Sequence, residues 1–137
     1  MRVNPEVSAV KETRRLVILL VDDHLDTREM YTDYLRIRGY DIVPCGDSRE
    51  CLDLALRHHP DLIVTELRMH GLNGIEILSS LRAEPSLAGV PIVALTASAL
   101  TFERERALAA GFNRVIPKPC LPEELAGEIA SILSDRP

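Results

Sequence analysis

Three carboxylates, a hydroxyl and an amine stand where short aliphatic runs of the sequence end. Asp22 and Asp23 follow Leu16 to Val21, Glu66 closes Asp61 to Glu66, Thr96 closes Pro91 to Thr96, and Lys118 follows Arg114 to Pro117. Brought within a few ångströms, Asp22, Asp23 and Glu66 repel one another, so the cluster is expected to hold a hard divalent cation or to raise a carboxyl pKa. Magnesium is the natural guest. It prefers oxygen ligands at roughly 2.0–2.1 Å and retains waters, which leaves positions for a phosphoryl oxygen. Thr96 would donate a hydrogen bond to that group and Lys118 would set a point charge on it. The chemistry suited to the set is phosphoryl transfer onto a carboxylate. Taken singly, each residue has a plainer reading: the acidic pair as caps of a following helix, Lys118 as a surface lysine, Thr96 as a β-branched strand end. Their joint placement favours the pocket.

For those ends to meet, the runs must lie side by side in one sheet. Leu16 to Val21, Asp41 to Cys45, Asp61 to Glu66, Pro91 to Thr96 and Arg114 to Pro117 read as five strands, each followed by a helical stretch. The first helix is expected over about Asp26 to Arg38, with Met30, Tyr34 and Ile37 on one face and Gly39 capping its end. The second opens at Asp47 or Ser48, where Asp47-x-x-Glu50 resembles a capping box, and Pro60 closes it. A third spans about Gly74 to Ala83 with Ile75, Leu78 and Leu81 at helical spacing, a fourth about Thr101 to Ala110 before Gly111. The last, about Pro122 to Ser134, carries Glu123 and Glu124 at its positive end and a stripe of Leu125, Ile129, Ile132 and Leu133. Five βα units imply an α/β fold: a parallel sheet in the order 2-1-3-4-5 with helices on both faces and a site beyond the carboxyl ends of strands one and three.

Composition agrees. At 137 residues, 46% hydrophobic and 27% charged, the chain suits one globular domain. Residues 1–14 show no apolar period and read as a flexible leader, residues 15–135 as the domain. With no Trp, two Phe, three Tyr and a net charge of -5, direct nucleic-acid binding is not expected. Cys45, Cys51 and Cys120 lack CxxC spacing, which suggests neither disulfides nor zinc and fits a reducing cytoplasm. The longest apolar run, Leu16 to Val21, is far short of the roughly 20 residues needed to cross a bilayer, so no membrane role is expected. His24 lacks a placed second histidine and reads as a loop residue, His58 and His59 as a helix's cationic end, and Arg104, Glu105 and Arg106 as a solvated face.

Val21-Asp22-Asp23, the run from Pro60 through Glu66 to Gly74, Ala94-Leu95-Thr96-Ala97 and Pro117-Lys118-Pro119 resemble, in order and spacing, the signatures of the receiver domain of two-component response regulators. The resemblance covers about Leu16 to Leu133. It implies a flavodoxin-like fold and Mg2+ held by Asp22, Asp23, the carboxylate of Glu66 and the backbone carbonyl of Arg68. It further implies a lysine presented by a cis Lys118–Pro119 bond, phosphoryl exchange with a histidine kinase or phosphotransfer protein, and an effector bound on the face of helix four, strand five and helix five. Departures from the family pattern matter as much. Glu66 stands at the phospho-accepting aspartate, Val115 at the switching aromatic, His70 at a loop proline and Cys120 at a common aromatic.

A glutamate carboxylate reaches roughly 1.5 Å beyond an aspartate's, enough to misplace an acyl phosphate and to bring Glu66 toward Lys118 directly. The expected function is an atypical receiver, a phosphorylation-independent interaction module biased by Glu66 and not an enzyme. The alternative is a working receiver that catalyses its own Mg2+-dependent phosphorylation on Glu66. A flavodoxin-type nucleotide binder would need an amide cradle where this chain has Asp22-Asp23-His24-Leu25-Asp26, and a haloacid-dehalogenase-like phosphatase would need a DxD motif and a cap domain.

Overall fold

Runs of Val, Ile and Leu buried on both faces need helices above and below, and that is how the chain is layered. The computed structural model describes residues 14–97 and 100–135, the side chains of residues 101 and 102 excepted. The expected leader lies outside the described residues but for Arg14. Five parallel strands, β1 (Val17–Val21), β2 (Asp41–Cys45), β3 (Leu62–Thr65), β4 (Ile92–Thr96) and β5 (Arg114–Pro117), form one sheet in the order β2-β1-β3-β4-β5. Helices α1 (Leu25–Ile37), α2 (Cys51–His58), α3 (Gly74–Arg82), α4 (Thr101–Ala110) and α5 (Pro122–Ser134) connect and cover it. This is the expected α/β architecture.

Two apolar clusters fill the two faces. One joins Leu19, Val21, Ile63, Ile92 and Ala94 to Ile77, Leu78 and Leu81 of α3 and Ala107 of α4; the other joins Ile18, Leu20, Leu62 and Val93 to Tyr31 and Leu35 of α1 and Leu125 and Ile129 of α5. Alternate residues of β1 therefore serve opposite layers, as the period of two along a strand requires.

Only part of the face expected of α1 turns to the core: Tyr34 packs against the cluster at partial burial. Tyr31, Thr32 and Leu35 turn inward, whereas Met30 is 45% and Ile37 82% exposed. Tyr31 and Leu35 sit at i and i+4, and the larger ring fills the space above the sheet. The second helix also opens differently. Asp47 accepts the Arg49 N–H at 3.0 Å and starts a 3-10 turn, Ser48–Glu50, ahead of α2. A reciprocal capping box stands instead at Asn73 and Glu76, with Glu76 N donating to Asn73 Oδ1 at 2.9 Å and Asn73 N to Glu76 Oε1 at 3.0 Å. The sequence spells it as Asn73-x-x-Glu76.

Candidate functional site at the carboxyl end of the sheet

Where β1 stops, the backbone of Asp22 is gripped from two directions. Its N–H donates to the carbonyl of Cys45 at 3.0 Å, and its carbonyl accepts Arg28 Nη1 of α1 at 2.8 Å. One strand over, Glu66 N donates to the Val21 carbonyl at 3.1 Å, prolonging the β1–β3 ladder past Thr65. The ladder sets Asp22 and Glu66 side by side, 4% and 8% exposed. Lys118 leaves β5 with its N–H on the Thr96 carbonyl at 2.8 Å, and the Lys118–Pro119 bond is cis. Its ammonium then reaches back, with Nζ 2.8 Å from Asp22 Oδ2 and 3.2 Å from Glu66 Oε2. Two buried carboxylates share one cation.

The remaining oxygens are claimed by backbone. Asp22 Oδ1 accepts the His24 N–H at 2.9 Å, Glu66 Oε1 accepts Leu67 N at 2.7 Å and Arg68 N at 3.4 Å, and Asp23 Oδ2 accepts His70 N at 3.0 Å. Asp23 thus ties the loop after β3 to the end of β1. Burial pulls the Lys118 ammonium toward neutrality, but the hydrogen bond and charge of Asp22, joined by Glu66, outweigh it and hold Lys118 above the usual lysine range.

Close packing fixes the loop from below. A Cβ on Gly74 would stand 2.9 Å from the Glu66 carbonyl oxygen and from Leu67 Cα, so the start of α3 leaves no room beneath Glu66. Gly74 N donates to the Leu67 carbonyl at 2.8 Å. A cavity of about 230 Å³ opens beside this loop, and there Arg68 bonds Glu103 of α4.

The structure therefore brings together Asp22, Glu66 and Lys118 directly, Thr96 through the backbone of Lys118, and Asp23 through His70. Of the groups expected to hold magnesium, namely Asp22, Asp23, Glu66 and the Arg68 carbonyl, it engages Asp22 and Glu66 with Lys118. Among the described residues no three of His, Cys, Asp and Glu are arranged to hold a metal ion. In this arrangement Lys118 supplies Asp22 and Glu66 with positive charge that an ion would otherwise bring.

Other expected positions fall outside the site. Val115 is buried with Ala107 and Phe112 in the core under α4, and Arg104, Glu105 and Arg106 are exposed. The cysteines are buried and free; burial raises the thiol pKa of all three and pushes Cys51 up to about 12. Sequence reasoning missed Arg28, whose contact with the Asp22 carbonyl leaves no periodic trace, and the Asn73 cap, which the Asn73-x-x-Glu76 spacing did announce.

Comparison with known proteins gives the family of the chain. Residues 18–130 match the family described as response regulator receiver domain. The chain is 38% identical over 122 residues to the DNA-binding response regulator MtrA of Mycobacterium tuberculosis, covering 89% of this chain and 52% of MtrA. The chain so spans about half the length of the curated MtrA relatives it matches. It is 30% identical to the polar-differentiation response regulator DivK of Brucella ovis, over 86% of this chain and 96% of DivK. Among solved structures, the receiver domain of sensor histidine kinase PA1611 from Pseudomonas aeruginosa, described with magnesium coordinated in its active site cleft, superposes with a TM-score of 0.82. That match is 31% identical and covers 89% of this chain and 100% of the other. With that fold, and with polar groups at the strand ends where the motifs expected them, the chain belongs to the response regulator receiver domain family.

Proposed function

We propose that this receiver is a protein-interaction module whose site is held by Glu66 and Lys118 without phosphorylation. The observation that carries the reading is the shared ammonium, 3.2 Å from Glu66 and 2.8 Å from Asp22. Glu66 stands where the family places its accepting aspartate, and its extra methylene brings the carboxylate to the lysine that otherwise meets a phosphoryl group. The imitation is partial: one charge and two oxygens in place of roughly −1.5 to −2 charges and three acceptor oxygens. Val115, buried where the family carries its switching aromatic, agrees with a fixed conformation.

In this reading the partners are proteins of a cytoplasmic two-component pathway. A histidine kinase or phosphotransfer protein meets the acidic end, and an effector meets the face of α4, β5 and α5. MtrA is named as DNA-binding, while for this chain the scarcity of aromatics and the net charge of -5 favour protein partners. Magnesium competes with Lys118 for Asp22 and Glu66, so weak binding through Asp22, Asp23, Glu66 and the Arg68 carbonyl is expected. Calorimetry tests this, with smaller heats for Asp23→Asn than for the unchanged chain; equal heats contradict it.

Intact mass after incubation with acetyl phosphate in magnesium buffer, beside Glu66→Asp, tests the function. Phosphoryl gain by the aspartate variant alone is the expected result. A hydroxylamine-labile phosphoryl group on Glu66 itself would establish the working-receiver alternative in its place.

A further inference from the structure

The segment that presents Lys118 is anchored at both ends. At its start the Lys118 N–H binds the Thr96 carbonyl at 2.8 Å; at its end the Cys120 carbonyl accepts the Tyr31 hydroxyl at 2.6 Å, a buried bond between residues 89 positions apart. Tyr31 is 2% exposed and rises from the middle of α1. Three residues earlier on the same helix, Arg28 holds the carbonyl of Asp22 at 2.8 Å. Residues at i and i+3 share a helix face. That face of α1 therefore grips the backbone of both partners of the ion pair: Arg28 the acid's, Tyr31 the stretch just after the lysine.

We infer that Tyr31 is a positioning residue for Lys118, its hydroxyl holding the Cys120 carbonyl so that the lysine stays against Asp22 and Glu66. The inference rests on the reading of Lys118 given above and names what sustains it. The ring alone would fill the core beside Leu125 and Ile129. The oxygen matters only for the carbonyl, which without it is a buried acceptor with no partner and is drawn toward water. Movement of Cys120 carries Lys118 with it, two residues away. Nζ lies at 2.8 Å from Asp22 and 3.2 Å from Glu66, so a shift of well under an ångström takes the second contact beyond hydrogen-bond range.

Lys11 and Lys118 are the only lysines in the sequence, which makes the test selective. Brief acylation with acetic anhydride, read by peptide mass mapping, reports Lys118 against Lys11 as internal reference. In the unchanged chain Lys118 reacts more slowly than the lysine of an added short peptide. Tyr31→Phe raises the Lys118 rate about fivefold, the change in open population that one net hydrogen bond represents, and leaves Lys11 unchanged. Ile129→Val, which thins the same core without removing a hydrogen bond, lowers the Tm and leaves the Lys118 rate unchanged. If Tyr31→Phe lowers the Tm while Lys118 stays as protected as before, Tyr31 is only a core residue and the inference is overturned, with the proposed function intact. If Lys118 reacts as fast as the added peptide's lysine in the unchanged chain, the shared ammonium is absent and both fall. Phosphoryl gain at Glu66, with Lys118 still freed by Tyr31→Phe, overturns the proposed function and leaves the role of Tyr31 standing.

Discussion

The two ends of the sheet treat buried polar groups in opposite ways. At the amino end, Asp61 is buried and fully committed, with Oδ2 accepting the Val17 N–H at 2.8 Å and its carboxylate meeting the Arg14 guanidinium at 3.1 and 3.3 Å. The exposed Asn113 ties down β4 in a similar way, its Oδ1 accepting Ile92 N at 2.8 Å and Arg82 Nη2 at 2.9 Å. Each group there has its own partners. At the carboxyl end, Asp22 and Glu66 divide one ammonium. Asp61 staples strands through a backbone N–H, whereas Asp22 and Glu66 are held to each other through one ammonium.

Removing an acid should then cost more at the amino end, and Asp61→Ala is the largest effect expected. It strands Val17 N–H and frees Arg14, which is largely solvated and contributes little, so a loss of about 2–3 kcal/mol is expected from denaturant midpoints. Next is Gly74→Ala. The new methyl meets backbone at 2.9 Å, and overpacking of this kind costs about 1–3 kcal/mol; because it lifts the Glu66–Leu67 peptide, it should also disturb the Lys118 contact. Glu66→Gln should cost only about 0–1 kcal/mol, since Lys118 keeps Asp22 and the amide oxygen can still accept from Leu67 N. A loss at Glu66 as large as that at Asp61 would erase the contrast between the two ends.

Titration sharpens the contrast further. The folded chain holds Lys118 above the ordinary lysine value of 10.5. Its pairing therefore contributes in full below that value and is lost as pH rises through the higher folded value. The stability difference between the unchanged chain and Lys118→Met should hold steady at neutral pH and shrink in this alkaline window, as followed by urea unfolding at several pH values. The smallest effect is expected on the outer face of α1, where Ile37→Ser should stay within about 0.5 kcal/mol because Ile37 is 82% exposed.

Much of this was legible in the sequence where a period or a motif carried it. The strands follow from aliphatic runs, the order from alternating βα units, and Asp22, Glu66, Thr96 and Lys118 from their place at strand ends. The contacts that make the ends differ were not legible. Asp61 to Val17 and Tyr31 to Cys120 join residues 44 and 89 positions apart, side chain to backbone, and such bonds leave no mark on hydropathy. Two residues of the α1 face, Met30 and Ile37, were misjudged for a related reason: they are more apolar than Tyr31, but the buried place goes to the ring whose hydroxyl also finds a buried partner. The magnesium cage was expected from three acids and a resemblance. The charge balance within the site was decided by the reach of Lys118, which spacing does not give.

The central claim is that Lys118 belongs to Asp22 and Glu66 together, and lysine-selective NMR of the ammonium protons reads it directly, since the sequence offers only Lys11 for comparison. The Lys118 ammonium should be protected from solvent exchange at neutral pH, with less protection in Glu66→Gln. A Lys118 ammonium that exchanges at the rate of a free lysine, or one whose protection ignores residue 66, would show that the acids do not share it.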